Sequence, residues 1–208
     1  MITLHHLAYS RSTRILWALE ELGIPYEMVV HQRDENFRAP PELAAVHPLG
    51  KAPVLVDDGL TIAESGAILT HLNDRHGGGR LAPPTGTNER TMHDEWLHYV
   101  EGSAAFPIML TLIGGMVGGL QEGLTRFVNP ERAKTLGYIA ERIGGGPWLL
   151  GAEFTIADIH LAYLIEVAGS AGLLAEYPQL RDYLARIQAR PAYQKAIALG
   201  GPVVPPGR

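Results

Sequence analysis

Hydrophobic and polar positions alternate between two periods in residues 1–80. Ile2–Leu7 has the character of a strand, and the apolar run that follows, from Ile15 to Leu22, repeats at helical spacing. Gly23-Ile24-Pro25 ends that run, and Tyr26–His31 is again typical of a strand. The pattern predicts a strand-helix-strand unit with parallel strands and a right-handed crossover.

The rest of this region predicts a hairpin framed by two helices. Glu42–Val46 is a short helix candidate, and the apolar runs at residues 53–56 and 60–62 flank Asp57-Asp58-Gly59. Asp-Gly between short apolar runs is a strong hairpin signal. From Ala63 to His76 the spacing is helical again, so the predicted order is strand, helix, strand, helix, strand, strand, helix.

The second half predicts helices only. Residues 81–87 resemble a linker, and Thr155 with Asp158 forms a predicted capping box. The uncharged stretch from Gly102 to Leu120 contains five glycines and Pro107, and it is interpreted as a buried helix rather than a membrane span. The predicted fold is an α/β domain at residues 1–80 and an all-α domain at 88–208, with helices near residues 88–121, 130–143, 155–168, 177–188 and 191–199.

Composition and charge narrow the possible partners. With 46% hydrophobic and 19% charged residues, the 208-residue chain has the balance of a folded soluble protein. Its net charge of −5 and its lack of any Lys/Arg run argue against nucleic acid. The N-terminus lacks the features of a signal peptide, which predicts a cytoplasmic protein with no membrane partner.

The chemistry available to the side chains is restricted, because the chain contains no cysteine. Any thiol chemistry must therefore use a thiol that a ligand supplies. Among the nine histidines, Glu95 and His98 form a single Glu-x-x-His without a second copy. His5 and His6 would point to opposite faces of a strand. The sequence thus predicts no metal site.

Four motifs together are similar to a known family. They are SRSTRILWALEELGI from Ser10, HPLGKAPVL from His47, AESGAI from Ala63, and FTIADI from Phe154. In this order and spacing, over almost the whole chain, they resemble the cytosolic glutathione transferases, and the first motif resembles a serine-type bacterial and fungal subgroup. The resemblance implies a thioredoxin-like domain followed by a helical domain.

The resemblance also implies that a residue at the start of the first helix stabilises the thiolate of glutathione. Ser10 is the leading candidate, with Ser12 as its neighbour or replacement and Tyr9 as a third possibility. Arg11 and Arg14 would add positive charge nearby. The alternative is that a serine only caps the helix.

The other motifs imply positions for the tripeptide. Pro53 resembles the family's cis-proline, which would present the backbone of Ala52 to the cysteinyl group, and Lys51 would meet the glycine carboxylate. Glu64 and Ser65 would hold the γ-glutamyl end at a helix N-terminus. The alternatives are an ordinary trans proline, a solvated lysine and a simple helix cap.

The resemblance further implies a hydrophobic electrophile, bound near Tyr99, Met109 and Leu112, and a homodimer that needs no resident cofactor beyond glutathione as co-substrate. An aromatic and aliphatic set at helical spacing can equally be core. The function expected is a detoxifying glutathione transferase. The alternatives are a non-catalytic glutathione-binding or structural protein of the same fold and a glutathione-dependent peroxidase.

Overall fold

A computed structural model describes residues 1–205 of the chain. The chain forms two compact units, one made of residues 1–81 with residues 189–205, and the other of residues 82–188. The first unit contains the strands β1 (Ile2–Leu7), β2 (Tyr26–His31), β3 (Val54–Asp57) and β4 (Leu60–Ala63), and the helices α1 (Ser12–Leu22), α2 (Glu42–Val46), α3 (Ser65–Arg75) and α9 (Pro191–Gly200).

The sheet of this unit is mixed, with the order β2-β1-β3-β4. β1 pairs in parallel with β2, as the strand-helix-strand pattern predicts, with Ile2 opposite Tyr26. β3 runs antiparallel to both β1 and β4, and Asp57 pairs with Leu60 across the predicted hairpin. This α/β unit followed by helices confirms the predicted fold class.

Helix α9 packs on α1 within the first unit. The rings of Trp17 and Tyr193 pack edge to face with their centroids 5.2 Å apart, and the guanidinium of Arg190 binds Glu21 through two hydrogen bonds of 2.6 and 2.9 Å. The sequence pattern places residues 191–199 in the helical domain, because their own periodicity carries no signal of the helix on which they pack. Residues 206–208 of that predicted domain lie outside the described residues.

The second unit is helical throughout its described elements, which are α4 (Asn88–Tyr99), a π-helical segment (Val100–Ala104), α5 (Ala105–Met116), α6 (Glu122–Ile143), α7 (Ile156–Ser170) and α8 (Pro178–Gln188). Helix α7 is its most buried element, with most of its side chains inaccessible. The capping box predicted at its start is present: Asp158 accepts a hydrogen bond from the Thr155 N–H at 2.9 Å, and Thr155 Oγ1 accepts one from the Ala157 N–H at 3.2 Å.

The expectation of a buried helix between Gly102 and Leu120 is wrong for much of its length. The continuous helical run Asn88–Met116 is long and apolar enough to cross a bilayer, but only a third of its most apolar window is buried. Phe106, Ile113 and Val117 are 48 to 73% exposed and share one face. The π-helical turn ends beside Pro107, which lacks the N–H that would bond to the Ser103 carbonyl.

Candidate functional site

The loop before β3 has the backbone geometry that its motif predicts. The Ala52–Pro53 peptide bond is cis, Pro53 is buried, Ala52 is half-buried and Lys51 is exposed. Gly50 closes the preceding turn by donating its N–H to the His47 carbonyl at 2.9 Å, with a left-handed φ of 56° that favours glycine. The turn therefore leads the chain into β3 with Ala52 beside the start of the strand.

The two serines of the first motif lie in one hydrogen-bonded cluster between β1 and α1. Ser10 Oγ lies 2.8 Å from Ser12 Oγ and 2.7 Å from the Leu7 carbonyl oxygen, and it accepts the Ser12 N–H at 3.1 Å. Ser12 Oγ accepts the Leu7 N–H at 3.1 Å and lies 2.9 Å from Nδ1 of His6. Ser12 is fully buried, whereas Ser10 retains 8% exposure.

The hydrogen bond between His6 and the Gly200 carbonyl fixes which ring nitrogen of His6 carries the hydrogen. His6 Nε2 is 2.9 Å from the carbonyl oxygen of Gly200, which can only accept, so Nε2 carries the hydrogen. Burial lowers the pKa of His6, against the opposing effect of the Gly200 hydrogen bond, so the ring is neutral at pH 7 and Nδ1 is an acceptor. The Ser12 hydroxyl therefore has two acceptors, Nδ1 of His6 at 2.9 Å and the Leu7 carbonyl at 2.9 Å, and the Ser10 hydroxyl donates to the same carbonyl at 2.7 Å.

Tyr9 precedes these serines in a left-handed conformation, with φ of 57°. Its ring stacks on Phe37 at 5.9 Å, and its carbonyl accepts a hydrogen bond from Arg33 Nη2 at 2.9 Å. Arg33 Nε binds the Ala8 carbonyl at 3.0 Å as well. Arg33 thus holds the strained β1–α1 loop by binding two backbone carbonyls of the loop. No sequence motif indicates this role of Arg33.

The start of α3 contains the other predicted pair. Glu64 is the N-cap residue, is exposed, makes no side-chain capping hydrogen bond and has φ of 69°. Ser65 is buried, and its Oγ accepts a hydrogen bond from Nη1 of Arg14 at 3.1 Å. Because Arg14 lies on α1, one helical turn after Ser10, this contact joins the starts of α1 and α3. The N-terminus of α3 consequently offers free backbone donors and a buried cation to an anion.

Two comparisons of sequence bear on these elements. Residues 1–74 match the family described as "Glutathione S-transferase, N-terminal domain", and residues 119–197 match "Glutathione S-transferase, C-terminal domain". Glutathione S-transferase 3 of Schizosaccharomyces pombe is 33% identical, over 92% of this chain and 85% of its own. Glutathione S-transferase 1 of Saccharomyces cerevisiae is 29% identical, over 96% of this chain and 97% of its own.

The chain belongs to the glutathione S-transferase family of enzymes. Solved structures agree with this assignment. A glutathione S-transferase from Actinobacillus pleuropneumoniae superposes with a TM-score of 0.87 at 35% identity, covering 96% of this chain and 93% of that one. A glutathione transferase family member from Pseudomonas fluorescens, solved with two glutathione molecules bound, has a TM-score of 0.77 at 28% identity, covering 94% and 92%.

The three residues predicted to line an electrophile pocket of this transferase lie in the helical unit. Leu112 lines a depression of about 720 Å³ with Thr111, Met116 and Ser170. Tyr99 instead lies in an aromatic cluster, with its ring 5.1 Å from Trp96 and 5.4 Å from Tyr138. Met109 is half-buried on α5.

Sequence reasoning missed two residues that contact the candidate site residues of the first unit. Arg14 was identified only as nearby charge, although a lone arginine within the buried run of α1 could have indicated a specific partner. His6 was dismissed as one of a pair on opposite strand faces, yet it orients Ser12. Its contact with Gly200 joins residues 194 positions apart, which no local pattern reveals.

Proposed function

We propose that this protein conjugates reduced glutathione to a hydrophobic electrophile, with Ser10 stabilising the thiolate. The observation that carries the proposal is the proton arrangement of the β1–α1 cluster. Ser12 is fully buried, with its hydroxyl between Nδ1 of His6 and the Leu7 carbonyl, whereas Ser10 is the more exposed hydroxyl and donates to the Leu7 carbonyl. The Ser10 oxygen accepts the Ser12 N–H at the start of α1, and the Ser10 proton would reach a ligand by turning away from the Leu7 carbonyl.

The energy required is within the reach of these groups. A free thiol of this type has a pKa of about 8.5, and lowering it by about two units takes roughly 2.7 kcal/mol. One hydrogen bond to a charged acceptor supplies about 1.5–3 kcal/mol, and the N-terminus of a helix supplies about 0.3–1 kcal/mol. Ser10 at the start of α1 fulfils both conditions once its O–H turns from the Leu7 carbonyl to the sulfur.

The remaining parts of the tripeptide are assigned by their chemistry. The α-carboxylate of the γ-glutamyl group would bind the free N–H groups at the start of α3 and the Ser65 hydroxyl, whose oxygen Arg14 already polarises. Glu64 would orient the α-ammonium group. The backbone of Ala52 would pair with the cysteinyl residue, and the exposed Lys51 would attract the glycine carboxylate.

The electrophile would bind beside apolar side chains of the helical unit. Leu112 and its depression are the best supported part of this pocket, because apolar lining and a few polar groups are typical of small-molecule sites. Met109 and Tyr99 stay in the proposal as candidates for the same pocket. Their test is substrate selectivity, since a changed apolar pocket alters the preference among electrophiles more than the affinity for glutathione.

The test of this function follows the ultraviolet absorbance of the thiolate while glutathione is titrated into the wild-type protein, Ser10→Ala and Ser12→Ala. We expect ionised bound thiol in the wild type, binding without ionisation in Ser10→Ala, and retained ionisation in any Ser12→Ala protein that folds. Turnover of a chromogenic electrophile should follow the same order. Loss of ionisation only in Ser12→Ala would assign the thiol contact to Ser12, and loss in neither would turn attention to Tyr9→Phe.

Glutathione-dependent reduction is a second candidate, favoured by the neighbour from Pseudomonas fluorescens that holds two glutathione molecules. In this reaction a peroxide and two glutathione molecules give an alcohol, water and glutathione disulfide. Because the chain has no cysteine, no mixed disulfide with the protein can form. Coupled NADPH consumption with glutathione reductase and an organic peroxide measures it, and activity there without conjugation would favour this candidate. Binding without either activity would favour a non-catalytic glutathione-binding protein.

The assembly and its location belong to the same proposal. A homodimer is supported by the exposed apolar face of α5, formed by Phe106, Ile113 and Val117, because faces of this kind are frequent at subunit contacts. Light scattering should give the dimer mass for the wild type and a smaller mass for Ile113→Asp.

A cytoplasmic, detoxifying role fits an enzyme that uses reduced glutathione, and cell fractionation tests the location.

A further inference from the structure

Two histidine side chains outside the candidate glutathione site converge on one carboxylate oxygen. His71 Nε2 lies 2.8 Å and His76 Nε2 lies 2.6 Å from Oδ2 of Asp57. Asp57 ends β3, His71 lies in the second half of α3, and His76 is the C-cap residue of the same helix. The hairpin and the helix end therefore bring together two imidazoles and a carboxylate from different elements.

The arrangement of the donor atoms has the size of a metal site. One ligand atom from each of the three residues lies within 4.8 Å of the other two. A tetrahedral zinc ion bound at about 2.0–2.2 Å separates its ligand atoms by about 3.3 Å. Both Nε2–Oδ2 distances are shorter than this, so a metal requires only that the imidazoles move back by about half an ångström. Both histidines are partly accessible to solvent, at 16 and 27% of their side chains, which permits the movement.

The carboxylate is the second observation that points to a ligand. The side chain of Asp57 is only 1% exposed, and its Oδ1 is buried without a hydrogen-bond partner among the described residues. A buried carboxylate oxygen that lacks a partner carries a cost of desolvation. A cation bound at this carboxylate offsets that cost.

We propose that Asp57, His71 and His76 bind a divalent transition-metal ion of the zinc class, with water completing the coordination. Two nitrogens and one carboxylate oxygen suit Zn²⁺, Co²⁺ or Ni²⁺ better than Mg²⁺ or Ca²⁺, which prefer oxygen ligands. Binding replaces the two Nε2–H···Oδ2 hydrogen bonds with metal–ligand bonds, and each neutral ring then carries its hydrogen on Nδ1. The proposal departs from the expectation of no metal site, which considered Glu95 with His98 and His5 with His6, none of them in this cluster.

The site lies at the other end of the elements that form the glutathione site. Asp57 is at the opposite end of β3 from Pro53, and His76 is at the opposite end of α3 from Ser65. Helix α3 has 11 residues, which separates its ends by about 16 Å. The ion would therefore not contact the thiol. It would tie the end of the hairpin to the end of α3 and stabilise the unit.

Arg75 is the group that opposes a metal here. Its Nε lies 3.7 Å from Asp57 Oδ2, and its side chain is 56% exposed. A cation at that distance competes with a bound ion for the same carboxylate. Because the guanidinium can swing into solvent, it weakens the site without closing it. Replacing Arg75 should therefore strengthen metal binding.

The test is a calorimetric titration of metal-free, glutathione-free protein with ZnCl2, with Co²⁺ absorption spectra as an independent measure of imidazole ligation. We expect one equivalent to bind, a loss of affinity of at least tenfold in His71→Asn/His76→Asn, and tighter binding in Arg75→Gln. The control is His98→Asn, which removes an exposed histidine from α4 and should bind zinc as the wild type does. Glutathione affinity, measured without metal, should be unchanged in the double variant.

Three results would overturn the proposal. They are the absence of a saturable equivalent in the wild type, an unchanged affinity in the double variant, and an effect in His98→Asn equal to that of the double variant. If the double variant fails to fold by circular dichroism, Arg75→Gln decides instead, because it keeps all three ligands. Equal or weaker zinc binding in Arg75→Gln would then contradict the assignment.

Discussion

The N-termini of α7 and α3 both have a hydroxyl residue and an acidic residue, but these residues are arranged differently at the two helices. At α7, Thr155 and Asp158 bind each other and the neighbouring backbone, and both are buried. At α3, Glu64 makes no capping hydrogen bond, points to solvent and has φ of 69°. The first N–H groups of α7 are capped by the side chains of Thr155 and Asp158, whereas the N-cap residue of α3 makes no side-chain capping hydrogen bond. A closed terminus, capped by its own side chains as at Thr155 and Asp158, therefore stabilises the fold. An open terminus, which lacks such a cap as at Glu64, is available for binding.

Helix α1 lies between these two cases. Its N-cap residue makes no side-chain hydrogen bond, but Ser10 Oγ accepts the Ser12 N–H and the Ser12 hydroxyl is held by His6. One serine is thus committed to the fold and the other only in part. The comparison predicts that variants at α7 alter stability, that variants at α3 alter affinity, and that variants at the start of α1 alter both.

The largest expected effect is that of Asp158→Ala at the closed terminus. Its carboxylate accepts hydrogen bonds from Leu149 N–H at 2.8 Å, Thr155 N–H at 2.9 Å and Tyr183 O–H at 2.8 Å. Removing it leaves several buried donors without a partner, so the free energy of unfolding should fall by about 3–5 kcal/mol. This exceeds the roughly 0.5–2 kcal/mol of a helix cap alone.

Urea denaturation measures this change, and glutathione titration of the folded fraction should show unchanged affinity. Asp158→Asn is the matched control, because its amide oxygen retains part of the acceptor capacity and it should lose less stability. A variant that melted like the wild type but lost turnover would contradict the structural role.

Ser65→Ala should have the next largest effect, on affinity. It removes a buried hydroxyl that Arg14 polarises at the open terminus of α3, so glutathione should bind about 10- to 100-fold more weakly. Stability should fall by only about 1 kcal/mol, through the lost contact with Arg14. Calorimetry and thermal melting measure the two quantities.

Thr87→Ala is the control for Ser65→Ala. It removes a hydroxyl that caps α4 by accepting the Arg90 N–H at 3.1 Å. We expect a similar loss of stability, about 1 kcal/mol, with no change in glutathione affinity. Equal losses of affinity in both variants would show that Ser65 acts only through the fold.

Much of the fold was predictable because it is encoded in local patterns. The strands β1 and β2 and the short helix α2 begin and end at the predicted residues. The capping box at Thr155 and the hairpin at Gly59 are likewise local signals. The exposed face of α5 was not predictable, because apolar spacing shows that a face is hydrophobic but not what covers it.

The candidate site was predictable where a motif carries its chemistry. The cis bond at Pro53 is confirmed, whereas the roles of Ser10 and Ser65 stay predictions that the experiments above test. The contacts that distinguish the surroundings of Ser12 from those of Ser10 come from His6 and, through it, from Gly200. Such contacts depend on the packing of distant elements, so the sequence left the two serines as alternatives.

Glu64→Gly should separate stability from affinity at α3 with a smaller effect. A non-glycine residue in this backbone region costs on the order of 1 kcal/mol, so glycine should stabilise the protein by about that amount. Glutathione affinity should fall at the same time, because the carboxylate is lost. Glu64→Gln keeps the strain and removes only the charge, so it should lose affinity without gaining stability. A gain of stability in both variants would show that the charge, and not the backbone, is responsible.

The smallest effect concerns acid, at the start of α1. Burial lowers the pKa of His6 in the folded protein. Near pH 6.5 the unfolded chain therefore binds a proton at this histidine that the folded protein does not bind, and the free energy of unfolding decreases as the pH falls below that value. One such group costs on the order of 0.7 kcal/mol between pH 7 and 6. Burial, together with His31, also lowers the pKa of His5, which adds to the same slope.

His6→Gln isolates the contribution of His6, because an amide supplies one donor and one acceptor but does not titrate in this range. We expect the melting temperature to fall less steeply between pH 7.5 and 5 in this variant than in the wild type. His5→Gln should remove only the part of that pH dependence that His5 contributes. Thiolate absorbance should weaken in the wild type over the same range, since protonation of Nδ1 forces the Ser12 hydroxyl to seek another acceptor beside Ser10. An acid slope that His6→Gln leaves intact would assign the effect to other groups and make His6 a purely steric support of α1.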